Sequence, residues 1–464
     1  MKVALITLGC PKNLVDAEVM LGLIDEAGHR LVDDPRAADA VVINTCAFIS
    51  SAVDESRRVI GECVALRNAG RVKWVIAAGC LPQRRDPAAE RALAGVDGVV
   101  GCSHFLDIAR ALEGVAEGRA PRLVSTPTTV YDHRSPRVLA TPRHLAYVKI
   151  AEGCDNRCSY CTVPSLRGAL RSRPVDSVVA EVESLLELGV REVNLIAQDT
   201  TAYGTDIAPS ARLPELLRRV SATGVPWIRT LYAHPARITD ELVDAMASLR
   251  GVVPYLDVPV QHVSDRVLRA MGRTEVRGGV RAALERLRAA IPGVTLRSSV
   301  MAGFPGETER EFEELLAFVR TGAVDWLAVF EFSPEPGTPA ASMPSGVPPQ
   351  VASARARALV DAASRVAAAR NARAVGSEVT VLVDSGGACA EGRTAGQAWE
   401  IDGRVLLRGS DGGPSPGAFV RARVTGVSGM DLRAATVAPA EPDRGPGRGE
   451  AGEPSSRSAG GETS

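Results

Sequence analysis

Three cysteines near the middle of the chain, Cys154, Cys158 and Cys161, have a spacing suited to binding a metal cofactor. They lie four and three residues apart, so their thiolates project from one short loop. Iron–sulfur clusters are held by thiolates, and electron-transfer clusters are usually held by four. Three cysteines would bind three corners of a cubane and leave one iron without a protein ligand. Such an open iron could bind and activate a small molecule.

Two other uses of these cysteines have to be considered. Cys158 and Cys161 alone form a C-x-x-C pair, which also occurs in zinc sites and in thioredoxin-like dithiols. The next cysteine along the chain is Cys389, and no histidine pair follows at zinc-finger spacing. The pattern therefore favours a cluster over these alternatives.

The complete motif adds an aromatic residue, Tyr160, directly before the last cysteine. The pattern C-x3-C-x-aromatic-C resembles the signature of the radical S-adenosylmethionine (SAM) enzymes. The resemblance implies a [4Fe–4S] cluster on Cys154, Cys158 and Cys161. It also implies that SAM is a cofactor, with Tyr160 among the residues near it.

The first hundred residues contain three more cysteines that each lie just past a predicted strand. Strands are expected over 2–8, 40–45 and 73–78, with helices over 14–27 and 51–69 between them. This alternation predicts an open, Rossmann-like parallel sheet covered by helices. Cys10, Cys46 and Cys80 follow the three strands, at the edge where such sheets bind ligands. Three thiols could therefore converge on one site.

Packing is the simplest alternative, because cysteine behaves as a small hydrophobic residue. Three strand ends in succession make that explanation weaker. Cys102 also follows a short apolar run, so periodicity alone does not exclude it as a ligand. Cys63 lies within a predicted helix and Cys389 in a Gly-rich loop, and we expect neither to be functional.

A front domain of this kind joined to a radical-SAM loop resembles the methylthiotransferase family. That family carries two [4Fe–4S] clusters, one on each cysteine trio. The resemblance implies that Cys10, Cys46 and Cys80 hold an auxiliary cluster, and it offers no counterpart for Cys102. No catalytic residue beyond the cluster ligands is implied.

A proline-containing connector is expected over 103–143, followed by a strand at 144–150. Strands and helices then alternate again. Helices are expected over 176–188, 212–222, 239–249, 277–290 and 308–321, and strands over 191–197, 227–232, 255–259, 294–301 and 325–331. Six strand–helix units predict a (β/α)6 partial TIM barrel with its chemistry at the carboxyl ends of the strands.

Several residues at those strand ends are candidates for the SAM site. The residues that follow strands are Gln198, Asp199, Gln261, His262, Gly303, Gly306 and Glu307. Asp199 and Glu307 could equally be turn or helix caps, and a lone histidine such as His262 is more often structural. From the superfamily resemblance we expect SAM contacts at Gln198, Asp199, Gly303, Gly306 and Glu307. Arg297 could pair with the SAM carboxylate.

After a helix at 350–373 the pattern changes to short alternating strands with Gly-rich turns, typical of a small β-barrel. This part resembles a TRAM domain. From about residue 438 the chain is too poor in apolar residues to fold. We therefore expect a methylthiotransferase domain at 1–130, a radical SAM domain at 140–370, a TRAM domain at 372–439 and a disordered tail at 440–464.

Composition restricts where the protein works. The chain has 464 residues, 45% hydrophobic residues and a net charge of −1, so no global field attracts nucleic acid or membranes. No apolar run reaches the ~18–20 residues of a membrane span. Residues 1–10 faintly resemble a lipoprotein signal, but a first strand explains them better. Nine cysteines without an export signal predict a reducing cytoplasm and cofactor binding.

Charge in the C-terminal barrel bears on the substrate. Residues 372–439 contain seven arginines and seven acidic residues, a net charge of zero. A domain that binds RNA through phosphates is usually basic, so a protein substrate is favoured. The motifs at 9–16, 259–262 and 332–338 are similar to those of the branch that modifies an aspartate of ribosomal protein uS12.

The resemblance thus implies radical methylthiolation of the aspartate β-carbon in uS12. One SAM would act as methyl donor and a second as radical source, with an external electron donor such as flavodoxin or ferredoxin. We expect a monomer. Two alternatives remain open: a transfer-RNA adenosine methylthiotransferase, and an iron–sulfur protein with an electron-transfer or structural role.

Overall fold

A computed structural model describes residues 1–208, 212–273, 278–387, 389–408 and 413–441. Its strands form two six-stranded parallel sheets, one closed barrel and one two-stranded sheet. Most of the predicted tail, 440–464, lies outside the described residues. No helix in these ranges is long and apolar enough to span a membrane.

The front sheet is parallel throughout and is flanked by four helices. Its strands are β1 (Lys2–Thr7), β2 (Arg30–Leu31), β3 (Ala40–Thr45), β4 (Trp74–Gly79), β5 (Gly98–Gly101) and β6 (Arg122–Leu123). The helices are α1 (Pro11–Glu26), α2 (Ser50–Asn68), α3 (Pro87–Ala92) and α4 (Ile108–Ala116). The strand order is β2-β1-β3-β4-β5-β6, so β1, β3 and β4 are neighbours.

Two local features differ from the sequence prediction. Helix α1 begins at Pro11 rather than at residue 14, because proline is well suited to the first helical position. The predicted connector at 103–143 contains α4 and β6. Ile108, Leu112 and Val115 are buried at helical spacing along α4, and this periodicity is the signal for the helix.

The second sheet is the predicted partial barrel. Its part of the chain contains β7 (Leu145–Lys149), β8 (Ala151–Glu152), β9 (Arg171–Ser172), β10 (Glu192–Ile196), β11 (Trp227–Thr230), β12 (Val252–Asp257), β13 (Thr295–Ala302) and β14 (Trp326–Glu331). The order β14-β13-β12-β11-β10-β7 is parallel and does not close, while β8 and β9 form a small antiparallel pair. Each predicted strand and helix of this part is present within three residues of its expected bounds.

Helices cover the outer face of this sheet, and a long helix leads to the C-terminal part. They are α5 (Val163–Arg167), α6 (Val175–Glu187), α7 (Leu213–Ala222), α8 (Asp240–Ser248), α9 (Asp265–Ala270), α10 (Gly279–Ala290), α11 (Glu309–Arg320) and α12 (Pro349–Arg373). Val193 and Leu195 of β10 pack with these helices in one buried cluster. Asn194, between them, therefore faces the barrel interior.

The C-terminal part is a closed five-stranded barrel, as predicted. Its strands are β15 (Glu378–Ser385), β16 (Ala390–Arg393), β17 (Val405–Arg408), β18 (Phe419–Ser428) and β19 (Asp431–Pro439), in the order β15-β16-β17-β19-β18. Its core contains Val381 and Val383 from one strand, and Val420, Ala422 and Val424 from another. The alternating apolar residues of the sequence thus face inward.

Helix α1 joins the front sheet to the partial barrel. It packs against β1 and β3 of the front sheet and against β7 of the barrel. Ten of its sixteen residues are buried, including Asp16 and Glu18. A helix buried on most sides lies between two packing partners and is not a surface helix. The two sheets therefore share this element.

Candidate active site

The three front cysteines lie together at the carboxyl edge of the front sheet. Cys46 and Cys80 directly follow β3 and β4, and Cys10 follows β1 after two further residues; the three strands are adjacent. Gly9 has φ +92°, and a Cβ there would lie 2.8 Å from the Cβ of Cys46. Only glycine allows this close approach of the first two strand ends. Asn13 fixes the arrangement by donating from Nδ2 to the carbonyls of Leu8 and Thr45, both at 2.9 Å.

Cys102 lies beside this trio although it follows β5, one strand further along. Its Sγ donates to the carbonyl of Gly79 at 3.2 Å and lies 3.8 Å from Sγ of Cys80. The hydrogen bond from Cys102 and the charge of Arg167 lower the pKa of Cys80 to about 6, against the effect of burial. Cys102 is thus a neighbour of the trio. Cys63 is buried in the core and Cys389 is exposed.

The second trio lies on the loop between β8 and α5. The backbone N–H of Asn156 donates to Sγ of Cys154, and that of Val163 donates to Sγ of Cys161, both at 3.4 Å. Asp199 fixes the loop from the end of β10, because its Oδ2 accepts from Nδ2 of Asn156 at 2.8 Å and from Arg237 at 2.7 Å. The chain thus holds this loop against the rim of the partial barrel.

Both trios consist of thiols, the ligands that hold iron–sulfur clusters. In the described ranges, no three His, Cys, Asp or Glu side chains converge as the ligands of one metal ion would. The cysteines of a cubane bind different irons, so they need not converge. Burial raises the pKa of Cys46 and Cys161 to about 12 and that of Cys154 to about 11. Thiols of this kind ionise beside a strongly charged metal.

A buried network of charged side chains lies between the two trios. Arg167, at the end of α5, donates from Nη1 to Asp16 of α1 at 2.8 Å and to Glu152 at 2.9 Å. Lys149 is fully buried and donates to the same two carboxylates. Burial alone would raise the pKa of Glu152, but Arg167 and Lys149 outweigh it and hold that pKa well below its ordinary value. Sequence analysis missed this network, whose members are far apart in the chain.

Two predicted SAM contacts lie on the barrel rim near the cysteine loop. Tyr160 packs edge-to-face on Phe304, with ring centroids 6.5 Å apart. Gln198 donates from Nε2 to Glu152 at 2.7 Å, while its buried Oε1 has no hydrogen-bond partner in the part of the chain that the structure describes. Both amide atoms of Asn194 are also buried without a partner. The barrel interior thus retains free hydrogen-bonding groups, as a site for a polar cofactor requires.

The remaining predicted contacts already have partners within the protein. Arg297 pairs with Asp257 at 3.0 Å and with Asp402 at 3.5 Å. Glu307 accepts from the N–H of Gly303 at 2.6 Å and from Arg355 at 3.0 Å. These bonds give both side chains a structural role, and their contact with SAM stays a prediction.

His262 and the loop glycines also have structural explanations. Nδ1 of His262 accepts from the N–H of Ser264 at 2.9 Å, a turn contact. Gly303 and Gly306 both have φ +78°. A Cβ on Gly303 would lie 2.4 Å from that of Ala352 in α12. Packing against α12 thus requires glycine at 303, whatever else approaches the loop.

Sequence analysis also missed two residues that meet where the front part contacts the rim of the partial barrel. Nζ of Lys12 lies 3.5 Å from the centre of the Tyr232 ring, which follows β11. Tyr232 has φ +63° and Gln261, after β12, has φ +68°, an uncommon region for residues other than glycine. One signal in the sequence could have identified Lys12: lysine is rare in this chain, which has only four.

Fold and site together define a radical SAM enzyme with a second cysteine trio on a front domain. Family models agree: residues 148–319 match the radical SAM superfamily, 2–101 the uncharacterized protein family UPF0004, and 375–437 the TRAM domain. The radical SAM methyltransferase TsrM from Kitasatospora setae, solved with cobalamin and a [4Fe–4S] cluster bound, has a similar fold. It superposes with a TM-score of 0.52 at 16% identity, over 73% of this chain and 76% of that one.

Other relatives have much higher sequence identity to this chain. Ribosomal protein uS12 methylthiotransferase RimO from Desulforudis audaxviator (strain MP104C) is 45% identical over 93% of this chain and 96% of that protein. RimO from Geobacter sulfurreducens is 43% identical over 93% of this chain and 97% of that protein. The chain belongs to the RimO family of methylthiotransferases.

This membership confirms the predicted fold class, the methylthiotransferase resemblance and the assignment as a transferase. Membership in the radical SAM superfamily makes SAM and an iron–sulfur cluster the cofactors. The number of clusters and the individual ligands stay predictions.

Proposed function

We propose that this protein methylthiolates the β-carbon of an aspartate residue in ribosomal protein uS12. The relatives that match nearly the whole chain are named as methylthiotransferases of ribosomal protein uS12, and the aspartate β-carbon as the modified atom is what the sequence resemblance implies. The neutral C-terminal barrel supports a protein substrate over transfer RNA, since RNA-binding domains are usually basic. The proposed division at 1–130, 140–370 and 372–439 is supported by the three family matches.

One contact carries the two-cluster part of the proposal. Helix α5 begins two residues after Cys161, has five residues and is therefore about 8 Å long. At its other end Arg167 donates from Nε to Sγ of Cys80 at 3.3 Å. The two trios are thus linked by a single short helix. Their closeness supports a reaction that uses both.

We assign one [4Fe–4S] cluster to Cys154, Cys158 and Cys161 and a second to Cys10, Cys46 and Cys80. When bound, these groups and two molecules of SAM supply what side chains lack, namely hydrogen abstraction from an unactivated carbon, sulfur, and a methyl group. An external donor such as flavodoxin or ferredoxin supplies electrons, and the enzyme acts as a monomer in the cytoplasm.

The protein's own contribution is to position the cofactors and the substrate and to exclude water. Asp199 and Arg237 fix the cysteine loop through Asn156. Arg167 and Lys149 both pair with the buried carboxylates of Asp16 and Glu152 between the trios. Groups fixed in this way between the trios are suited to holding one substrate side chain between two cofactors.

Mass spectrometry tests the substrate. Cells that lack this gene are compared with the parent strain for the methylthio mass on uS12 and on transfer RNA. Loss from uS12 alone supports the proposal, and loss from RNA alone overturns it.

Iron analysis tests the number of clusters. Anaerobic reconstitution should give roughly eight irons per chain if both cubanes form, and about half in a variant with Cys10, Cys46 and Cys80 replaced by alanine. Cys102→Ala is the matched control and should keep the full iron content. An unchanged iron content in the triple variant would contradict the assignment.

A further inference from the structure

Lys12 lies in an environment that is unfavourable for a cation. It belongs to the first turn of α1, where the helix dipole favours negative charge. It is only 9% exposed, so most of its hydration has been lost. Burying a charge without a partner is costly. A lysine in this position therefore needs a reason beyond folding.

No carboxylate of the described chain pairs with Lys12. Its Nζ makes no hydrogen bond or ion pair there, and its contact is the face of Tyr232 at 3.5 Å. The thiol of Cys10 acts on it through space, as do two carboxylates, Glu152 and Asp257. Glu152 already accepts from Lys149, Arg167 and Gln198. Asp257 already accepts from Arg297 and from the N–H of Tyr232. The ammonium group of Lys12 can therefore pair with a further anion.

The surroundings of Lys12 have the features of a binding site. Tyr232 holds an unfavourable backbone conformation, stabilised by Asp257 and by hydrogen bonds from Thr200 to its carbonyl. Strained residues of this kind cluster at ligand sites. Gln261, on the adjacent strand end, is also strained and has a buried Oε1 without a hydrogen-bond partner. Lys12 follows Cys10 by two residues, so it projects from the front trio toward this rim.

We infer that Lys12 binds the side-chain carboxylate of the substrate aspartate. The inference rests on the proposed function. An aspartate carboxylate is bonded to the β-carbon, so anchoring the carboxylate fixes the reacting carbon one bond away. A neutral asparagine has the same shape but leaves the buried ammonium unpaired. Lys12 therefore selects aspartate over asparagine.

Binding measurements with the reconstituted enzyme test this role. Two synthetic uS12 peptides are compared anaerobically by calorimetry, one with the target aspartate and one with asparagine in its place. We expect the wild type to prefer the aspartate peptide at least tenfold. Lys12→Met should lose that preference by weakening aspartate binding alone, and Lys12→Arg should retain part of it. Lys73→Met, at an exposed lysine paired with Asp39, is the matched control.

Further readouts separate the possible failures. Iron content and the unfolding temperature identify a variant that does not fold; if Lys12→Met fails in this way, Lys12→Arg decides, and an unweakened aspartate preference in that variant overturns the inference. Equal binding of both peptides by the wild type, or the same preference in Lys12→Met, overturns the inference. Weaker SAM binding with an unchanged peptide preference also overturns it. A wild type that binds neither peptide and modifies transfer RNA overturns the proposed function, and this inference with it.

Discussion

Nε of Arg167 donates a hydrogen bond to Sγ of Cys80 over 3.3 Å, across 87 residues of sequence. The guanidinium comes from the helix that follows the radical-SAM loop, and the thiol comes from the front sheet. The same guanidinium also contacts Asp16 and Glu152. One side chain thus couples a proposed ligand of one cluster to the helix beside the other.

Replacement of Arg167 by methionine should destabilise the protein strongly. Among the described residues, Asp16 and Glu152 would remain buried with Lys149 as their one paired cation, and breaking a buried pair costs about 3–5 kcal/mol. The free energy of unfolding from urea titration of the apoprotein measures the loss. Arg57→Met is the matched control, because that arginine is 62% exposed and an exposed pair contributes about 0–1 kcal/mol. Equal losses in the two variants would contradict the role of Arg167.

The two loop glycines offer a comparison that separates backbone conformation from packing. Both have φ +78°, so alanine at either position costs about 1–2 kcal/mol for the left-handed conformation. Gly303→Ala should lose about 1–3 kcal/mol more, because its Cβ would meet Ala352 at 2.4 Å. At Gly306 the nearest atom is Nη1 of Arg266 at 3.7 Å. Urea midpoints measure the difference, and equal midpoints would show that α12 moves to accommodate the added methyl group at little cost in stability.

The carboxylate of Glu335 should make stability depend on acid pH. It is fully buried and accepts from the N–H of Ser50 at 2.7 Å and from Arg84 at 2.8 Å. Burial raises its pKa, but hydrogen bonds from Ser333, Ser50 and Arg84 outweigh this effect and lower it below 4.5. A depressed folded-state pKa contributes stability above the unfolded value, and this contribution is lost as pH falls through the folded value.

Glu335→Gln should therefore be less stable at pH 7 and lose less stability than the wild type as the pH falls below 4.5. Unfolding free energies at pH 7, 4.5 and 3.5 measure this profile. Glu331→Gln is the control, since Glu331 is exposed and bonds only Ser353 among described residues. A wild-type profile that matches Glu335→Gln at every pH would disprove the contribution.

The C-terminal barrel should be held less stably against the partial barrel when Arg393 is replaced by methionine. Arg393 is 2% exposed and pairs with Glu192 of β10 at 2.5 Å and with Asp384 at 2.8 Å. Its loss leaves Glu192 with Arg229 alone, at a cost of about 3–5 kcal/mol. We expect an added low-temperature calorimetric transition and faster proteolysis near residue 375. Arg423→Met, at an exposed pair with Glu378, should leave one transition. A single unchanged transition in Arg393→Met would contradict this expectation.

The elements were predictable because each carries a local signal. Alternation of strands with helical periodicity predicted both parallel sheets, and period-two valines predicted the small barrel. Helix α4 carried the same signal at Ile108, Leu112 and Val115, but the prolines that follow it suggested a connector.

The contacts that build the site had no local signal. Glu335 bonds Ser50 across 285 residues, and Arg167 bonds Asp16 across 151. No periodicity relates such pairs, so sequence reasoning could name Cys80 and Cys161 but not the arginine between them. Gly303 shows a further limit of sequence reasoning, because glycine is required both where a ligand approaches the backbone closely and where a helix does. Only the position of Ala352 in the structure shows that the helix is the reason here.

Helix α1 has a consequence for how this enzyme can be altered. Its first turn carries Lys12 and Asn13 at the front trio, while its middle contributes Asp16 to the network beneath the radical-SAM loop. A chimera that joins the front part of one relative to the barrel of another would need a helix matched to both. We therefore expect the two parts to be exchangeable only as a pair, inherited together with the helix that they share.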